Sequence, residues 1–103
     1  MIFTVSNEGY LIVIEKNKGN IIRVTDLFKN YKLKKRKNIN PVGFVIGNTN
    51  LYLTNTDGKM IVVDLSLGDI KKIEKISGDF ISRPFIFNQN LFVIRNGSII
   101  QYN

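Results

Sequence analysis

The chain contains no cysteine, no histidine and no tryptophan. Without cysteine there is no disulfide framework, no thiolate metal site and no thiol nucleophile. Without histidine the commonest general base and the commonest transition-metal ligand are both missing. The eight carboxylates are scattered singly. The serines at 6, 66, 77, 82 and 98 have no histidine to activate them, and no G-x-S-x-G elbow, P-loop or dinucleotide fingerprint is present. No apolar run approaches the roughly 18–20 residues that span a bilayer. The first nine residues lack the basic region and small-residue cleavage site of a signal peptide. Most enzyme chemistries thus lack their usual parts, and the expectation is a non-catalytic protein without cofactor or metal.

What is present is one small domain of 103 residues, 44% apolar and 22% charged, an ordinary folded composition. The net charge of +7 is local. Lys29, Lys32, Lys34, Lys35, Arg36 and Lys37 supply six positives within an acid-free stretch, and the rest of the chain carries only +1. Lys32, Lys34, Lys35, Arg36 and Lys37 are therefore the candidate partner-binding residues, suited to an acidic protein face, an anionic lipid or a nucleic acid. The same run also reads as a solvated insertion, as charge runs commonly are.

Sliding the chain along itself by 49 places residues 2–24 on 51–73 without a gap. Gly9 falls on Gly58, Gly19 on Gly68, and Leu11-Ile12-Val13-Ile14-Glu15 on Met60-Ile61-Val62-Val63-Asp64. A third copy begins at Asn90 and needs one deletion in its turn, at Asn96-Gly97. Glu8-Gly9, Asp57-Gly58 and Asn96-Gly97 are dipeptides that accept positive φ in tight hairpins. Tyr10–Ile14 and Met60–Val63 are apolar at consecutive positions, as strands are when both faces are covered. Pro41 and Pro84 open further strands, where no ladder N–H is lost. With strands labelled A to D, the prediction is B 2–6, C 10–15, D 20–26; A 42–47, B 51–55, C 60–65, D 70–76; A 84–88, B 91–95, C 98–102. The basic stretch is an insertion between D and the next A.

Three other groups of residues stand out. Asp57, Asp64 and Asp69 do not have the spacing of an EF-hand loop; Asp57 and Asp69 read as turn formers and Asp64 as a strand-end acceptor. Most of the aromatics, Phe80 among them, fall in or beside predicted strands and are accounted for by packing between sheets. Phe28 and Tyr31 flank the basic run and remain as candidates for stacking on a ligand. Gly43 and Gly47 permit close approach of neighbouring chain.

A unit of about 40 residues and four strands, covered on both faces, has the pattern of a β-propeller blade. Residues 51–70 resemble the PQQ-like propeller repeat: an aromatic strand, an Asp-Gly turn, an apolar strand ending in Asp, and a glycine turn follow in that order. Val62 and Val63 replace its usual small residue and Leu, and Ile73 or its neighbours stand where its tryptophan would be. The segment 79–84 leading to 91–100 resembles the C-terminal end of the BamB family, the propeller lipoproteins of bacterial outer-membrane β-barrel assembly. That resemblance implies a non-enzymatic scaffold, holding the barrel-inserting subunit through surface loops, in the periplasm at the outer membrane. The family's partner-contacting residues lie in blades outside this chain, so none carries over. Nothing matches the cofactor site of the family's quinone-dependent dehydrogenases.

The expected fold is all-β: antiparallel four-stranded blades of a PQQ-like β-propeller, about two and a half of them. The parts are a blade at 1–26 lacking strand A, a basic insertion at 27–40, a blade at 41–76, and a blade at 83–103 lacking strand D. Such a partial propeller reads as the C-terminal portion of a longer protein or a truncated gene product. Its uncovered end sheets imply self-association or further blades as partners. In an A-B-C-D meander the D–A and B–C connections share one end, so the basic insertion joins the hairpin turns in a single loop face for protein partners. Two further readings are a self-associating fragment of no separate activity and an anion- or nucleic-acid-binding module built on residues 29–37.

Overall fold

The computed structural model describes residues 1–78 and 81–102. Asp79, Phe80 and Asn103 lie outside the described residues, and with them the packing role expected of Phe80 and the start of the segment 79–84. The described chain is all-β apart from one helical turn. Ten strands form three antiparallel sheets. Sheet I contains β1 (Ile2–Val5), β2 (Tyr10–Ile14) and β3 (Ile21–Asp26), in that order. Helix α1 (Leu33–Arg36) follows within the insertion. Sheet II contains β4 (Pro41–Gly47), β5 (Asn50–Asn55), β6 (Lys59–Asp64) and β7 (Asp69–Lys75). Sheet III contains β8 (Phe85–Phe87), β9 (Asn90–Arg95) and β10 (Ser98–Gln101). Each sheet is a plain meander, and every predicted strand is present, its ends moved by one residue at most.

The repeat is preserved in the hydrogen-bond register. In sheet I Phe3 pairs with Val13 and Val5 with Leu11; in sheet II Tyr52 pairs with Val62 and Thr54 with Met60. The β2–β3 ladder slips between Val13 and Ile14, and the β6–β7 ladder slips between Val62 and Val63, again 49 residues on. A bulge adds twist and re-aims the strand beyond it, so its recurrence at one repeat position fixes the same shape in both sheets. The turns repeat as well. Gly9 N–H donates to Ser6 O at 3.0 Å as Gly58 does to Asn55 O at 3.1 Å, and Leu27 N–H donates to Gly9 O at 2.8 Å as Ile76 does to Gly58 O at 2.9 Å. In sheet III the pairs Val93–Ile100 and Ile94–Ile99 continue the pattern. The missing residue there lies in the two-residue turn Asn96-Gly97, with φ of 50° and 77°.

The sheets pack face to face. Leu11 and Val13 of sheet I meet Leu51, Leu53, Ile61 and Val63 of sheet II in one core. Met60 and Val62, from the opposite face of the same strand β6, meet Leu91 and Val93 of sheet III in a second. All four interior residues of β6 are buried, as its unbroken apolar run predicts. Strand β2, predicted in the same way, departs from the expectation. Leu11 and Val13 are buried, but Ile12 and Ile14, which belong to neither core, are only half-buried.

Neighbouring sheets also touch at their edges. A Cβ placed on Gly47 of β4 would lie 2.6 Å from Ile86 Cδ1 of β8, so these first strands approach closely, as Gly47 was expected to permit. Gly43 is similarly close to the Arg83 side chain. On the far side, Arg23 of β3 covers Gly68 and donates through Nη2 to Leu65 O at 3.2 Å.

Candidate functional site

The insertion after β3 is fastened at three points. At its start, Leu27 is buried and the ring of Phe28 lies directly over Gly9. The stacking role kept open for Phe28 is thereby corrected: its side chain is 1% exposed and belongs to the core between sheets I and II. In the middle, the Asp26 carboxylate accepts two hydrogen bonds from Arg36, each 2.8 Å, while its Oδ1 also accepts the Phe28 N–H at 3.0 Å. A bidentate guanidinium–carboxylate pair fixes orientation as well as distance, and it raises the pKa of Arg36 above its ordinary value. At its end, Ile39 is buried, and Asn40 and Thr56 exchange hydrogen bonds, Asn40 N–H to Thr56 Oγ1 and Thr56 N–H to Asn40 O, both 2.9 Å.

Between these anchors the expected open insertion makes one helical turn, α1, whose residues are not buried. Lys35 and Arg36 N–H groups close it by donating to Lys32 O. The three cations of its last turn, Lys34, Lys35 and Arg36, lie where the helix dipole favours positive charge.

The insertion lies at the same end as the hairpin turns, as the topological argument predicts. Phe28 sits on the turn at Gly9, Asn40 on the turn at Thr56, and Arg95, beside the Asn96-Gly97 turn, donates to Ile76 O at 2.8 Å. The five candidate residues do not act as one cluster. Lys32, Lys34, Lys35 and Lys37 are exposed, but Arg36 is committed to Asp26, with the Tyr10 ring 6.0 Å away. Lys32 and Lys35 open onto a cleft of about 660 Å³ that they share with Asn30, Tyr31, Lys59, Ile73 and Lys75.

Lys59 and Lys75 were missed from the sequence, because they lie far from the basic run. Their signal is positional, since both strands end beside the Asp57-Gly58 turn. They are also directly opposite one another in the β6–β7 ladder. Like charges so placed cost stability, on the order of 0.2–1 kcal/mol. The turn-forming aspartates behave largely as expected: Asp57 accepts from Lys59 N–H at 3.1 Å and Asp64 from Ser66 N–H at 2.8 Å. Asp69, read as a turn former, is instead the first residue of β7, opposite Asp64.

Tyr31 forms the floor of the cleft. Its ring meets Phe28 edge-on at 5.5 Å, and Lys59 Nζ lies 5.5 Å from its centroid. Its hydroxyl is buried beside Asn55 and Asp57 without a hydrogen bond of good geometry to either; both amide atoms of Asn55 are likewise unpaired. Burial first, and the Asp57 carboxylate second, push the hydroxyl pKa well above its ordinary 10.0. The native state therefore holds this proton more tightly than the unfolded chain does. The associated stability is complete below about pH 10 and is lost as pH rises through the higher native value. An alkaline titration followed by ultraviolet absorbance will show a late-ionising tyrosine, absent in Tyr31→Phe, and unfolding will become easier above about pH 10.

Comparison with protein-family models and with curated proteins finds no match to this chain. Among the described residues no helix is long and apolar enough to cross a membrane.

Proposed function

We propose that the chain is a non-catalytic protein-interaction scaffold built from blades of a PQQ-like β-propeller, of the BamB type that serves outer-membrane β-barrel assembly. The observation that carries this reading is the repeated register: consecutive meanders, one of three strands and the next of four, with the same pairs, turns and bulge 49 residues apart. Blades of one propeller require that identity, together with face-to-face sheets whose first strands lie close, as β4 and β8 do. Packed sheets provide a stiff support, and the anchored insertion presents Lys32, Lys34, Lys35 and Lys37 from it. Loops held on a rigid scaffold are the usual place for recognition. The partner this surface suits is a protein with an acidic face.

The cleft supports a second reading, an anion site. Lys59 and Lys75 oppose each other at a cost that an anionic ligand would offset, and Lys32 and Lys35 converge on the same space.

Both readings are tested with the purified barrel-inserting subunit and with heparin, titrated calorimetrically at physiological salt. The scaffold reading expects saturable binding of the subunit, weakened about tenfold or more when Lys32, Lys34, Lys35 and Lys37 are all changed to Ser. All four are exposed, so the variant keeps its fold. No binding of the subunit at about 100 µM, or binding unchanged in the variant, overturns the scaffold reading. Heparin binding lost in Lys59→Ser/Lys75→Ser, with the subunit ignored, would put the anion site in its place.

A further inference from the structure

The two outer faces of the molecule are apolar, and the repeat specifies what each one fits. Ile2 pairs with Ile14, Ile12 with Val24, and Ile14 with Ile21, so these residues share one face of sheet I. Shifted by 49, they become Leu51, Val63, Ile61, Ile73 and Ile70. In sheet II that face is covered by sheet I: Leu51, Ile61 and Val63 are fully buried, and Ile70 and Ile73 pack against the same core. In sheet I it is bare, with Ile2 49%, Ile21 64% and Val24 54% exposed.

The outer face of sheet III carries Phe92, Ile94 and Ile99. Ile94 and Ile99 are 41% and 66% exposed. Their repeat counterparts in sheet I are Phe3, Val5 and Leu11, the residues sheet I turns toward sheet II. One bare face thus has the form of a covering surface, and the other has the form of the surface it covers. The exposed area agrees: 6512 Å² for the chain, against about 5900 Å² expected of a compact monomer of this mass.

We infer that the outer face of sheet III binds the outer face of sheet I on a second copy of this chain, head to tail, and that two copies close into a ring of six sheets. In that interface Ile99 takes the place of Leu11 and faces Ile12 and Ile14 in the places of Ile61 and Val63. Head-to-tail contacts either close or propagate. Closure here rests on the propeller reading above, since six sheets fall within the four to eight blades that such rings hold. The contact itself rests on register alone.

Light scattering with size-exclusion chromatography on the full chain, over roughly tenfold steps in concentration, tests the inference. The expected mass is twice 11.8 kDa. Val24→Lys alters only the sheet I face and Ile99→Asp only the sheet III face. Because every head-to-tail contact uses both faces, each variant alone will run as a folded monomer, and mixing the two will restore association. Ile21→Lys serves as a second probe of the first face should Val24→Lys fail to fold. A wild-type monomer at every concentration, growth beyond the dimer, or a dimer that only one of the two faces disrupts would each overturn the inference. The first two leave the internal repeat intact, so they are distinguishable from a failure of the scaffold reading.

Discussion

Replacing Gly9 with alanine will destabilise the chain by about 2–5 kcal/mol, whereas Gly19→Ala will cost only about 1–2 kcal/mol. Both glycines have positive φ, 91° and 72°, so both substitutions incur the left-handed backbone penalty. They differ in what the new methyl meets. At Gly9 it would lie 2.3 Å from the ring of Phe28, which is buried and has nowhere to move; at Gly19 nothing lies within 4 Å. The excess at Gly9 therefore measures how firmly the basic insertion is seated on the hairpin. Urea melts of the two variants read it directly. Equal costs would mean that Phe28 is not held over the turn.

Leu53→Ala will cost about 2–5 kcal/mol and lower the melting temperature by roughly 10 °C or more. Leu53 is fully buried between sheets I and II, flanked in its own sheet by Phe44 and Ile61. Truncating it leaves a void where two β-sheets meet, and paired sheets close such voids poorly because their spacing is set by many other side chains. Leu67→Ala, in the β6–β7 turn and 73% exposed, will change stability by no more than about 0.5 kcal/mol. Thermal melts of the pair separate a leucine that joins sheets from one that only decorates a turn.

The strands were legible in the sequence because each depends on local chemistry. Turn dipeptides such as Asp57-Gly58 and Asn96-Gly97 specify reversals, and apolar runs such as Met60–Val63 specify what lies between them. The 49-residue repeat was visible for the same reason, whereas the bulge shared by both copies shows only in the ladders. Long-range contacts were not legible. That Arg36 is used by Asp26 depends on how the insertion folds back over ten residues. That Phe28 is core, and no ligand platform, depends on a glycine nineteen positions earlier. Lys59 and Lys75 join the cleft only because the meander brings both strand ends beside Tyr31. Composition could mark residues 29–37 as basic; it could not say which of those charges were already spent.

Residues 2–26 and 51–75 adopt one and the same pairing, and the rest follows from that identity. Cross-strand nuclear Overhauser contacts in the labelled chain test it most directly. Contacts are expected for Phe3–Val13 and Tyr52–Val62 alike, with a ladder slip at Val13/Ile14 matched by one at Val62/Val63. A register in either sheet displaced by a single residue, or a bulge present in only one of them, would contradict it.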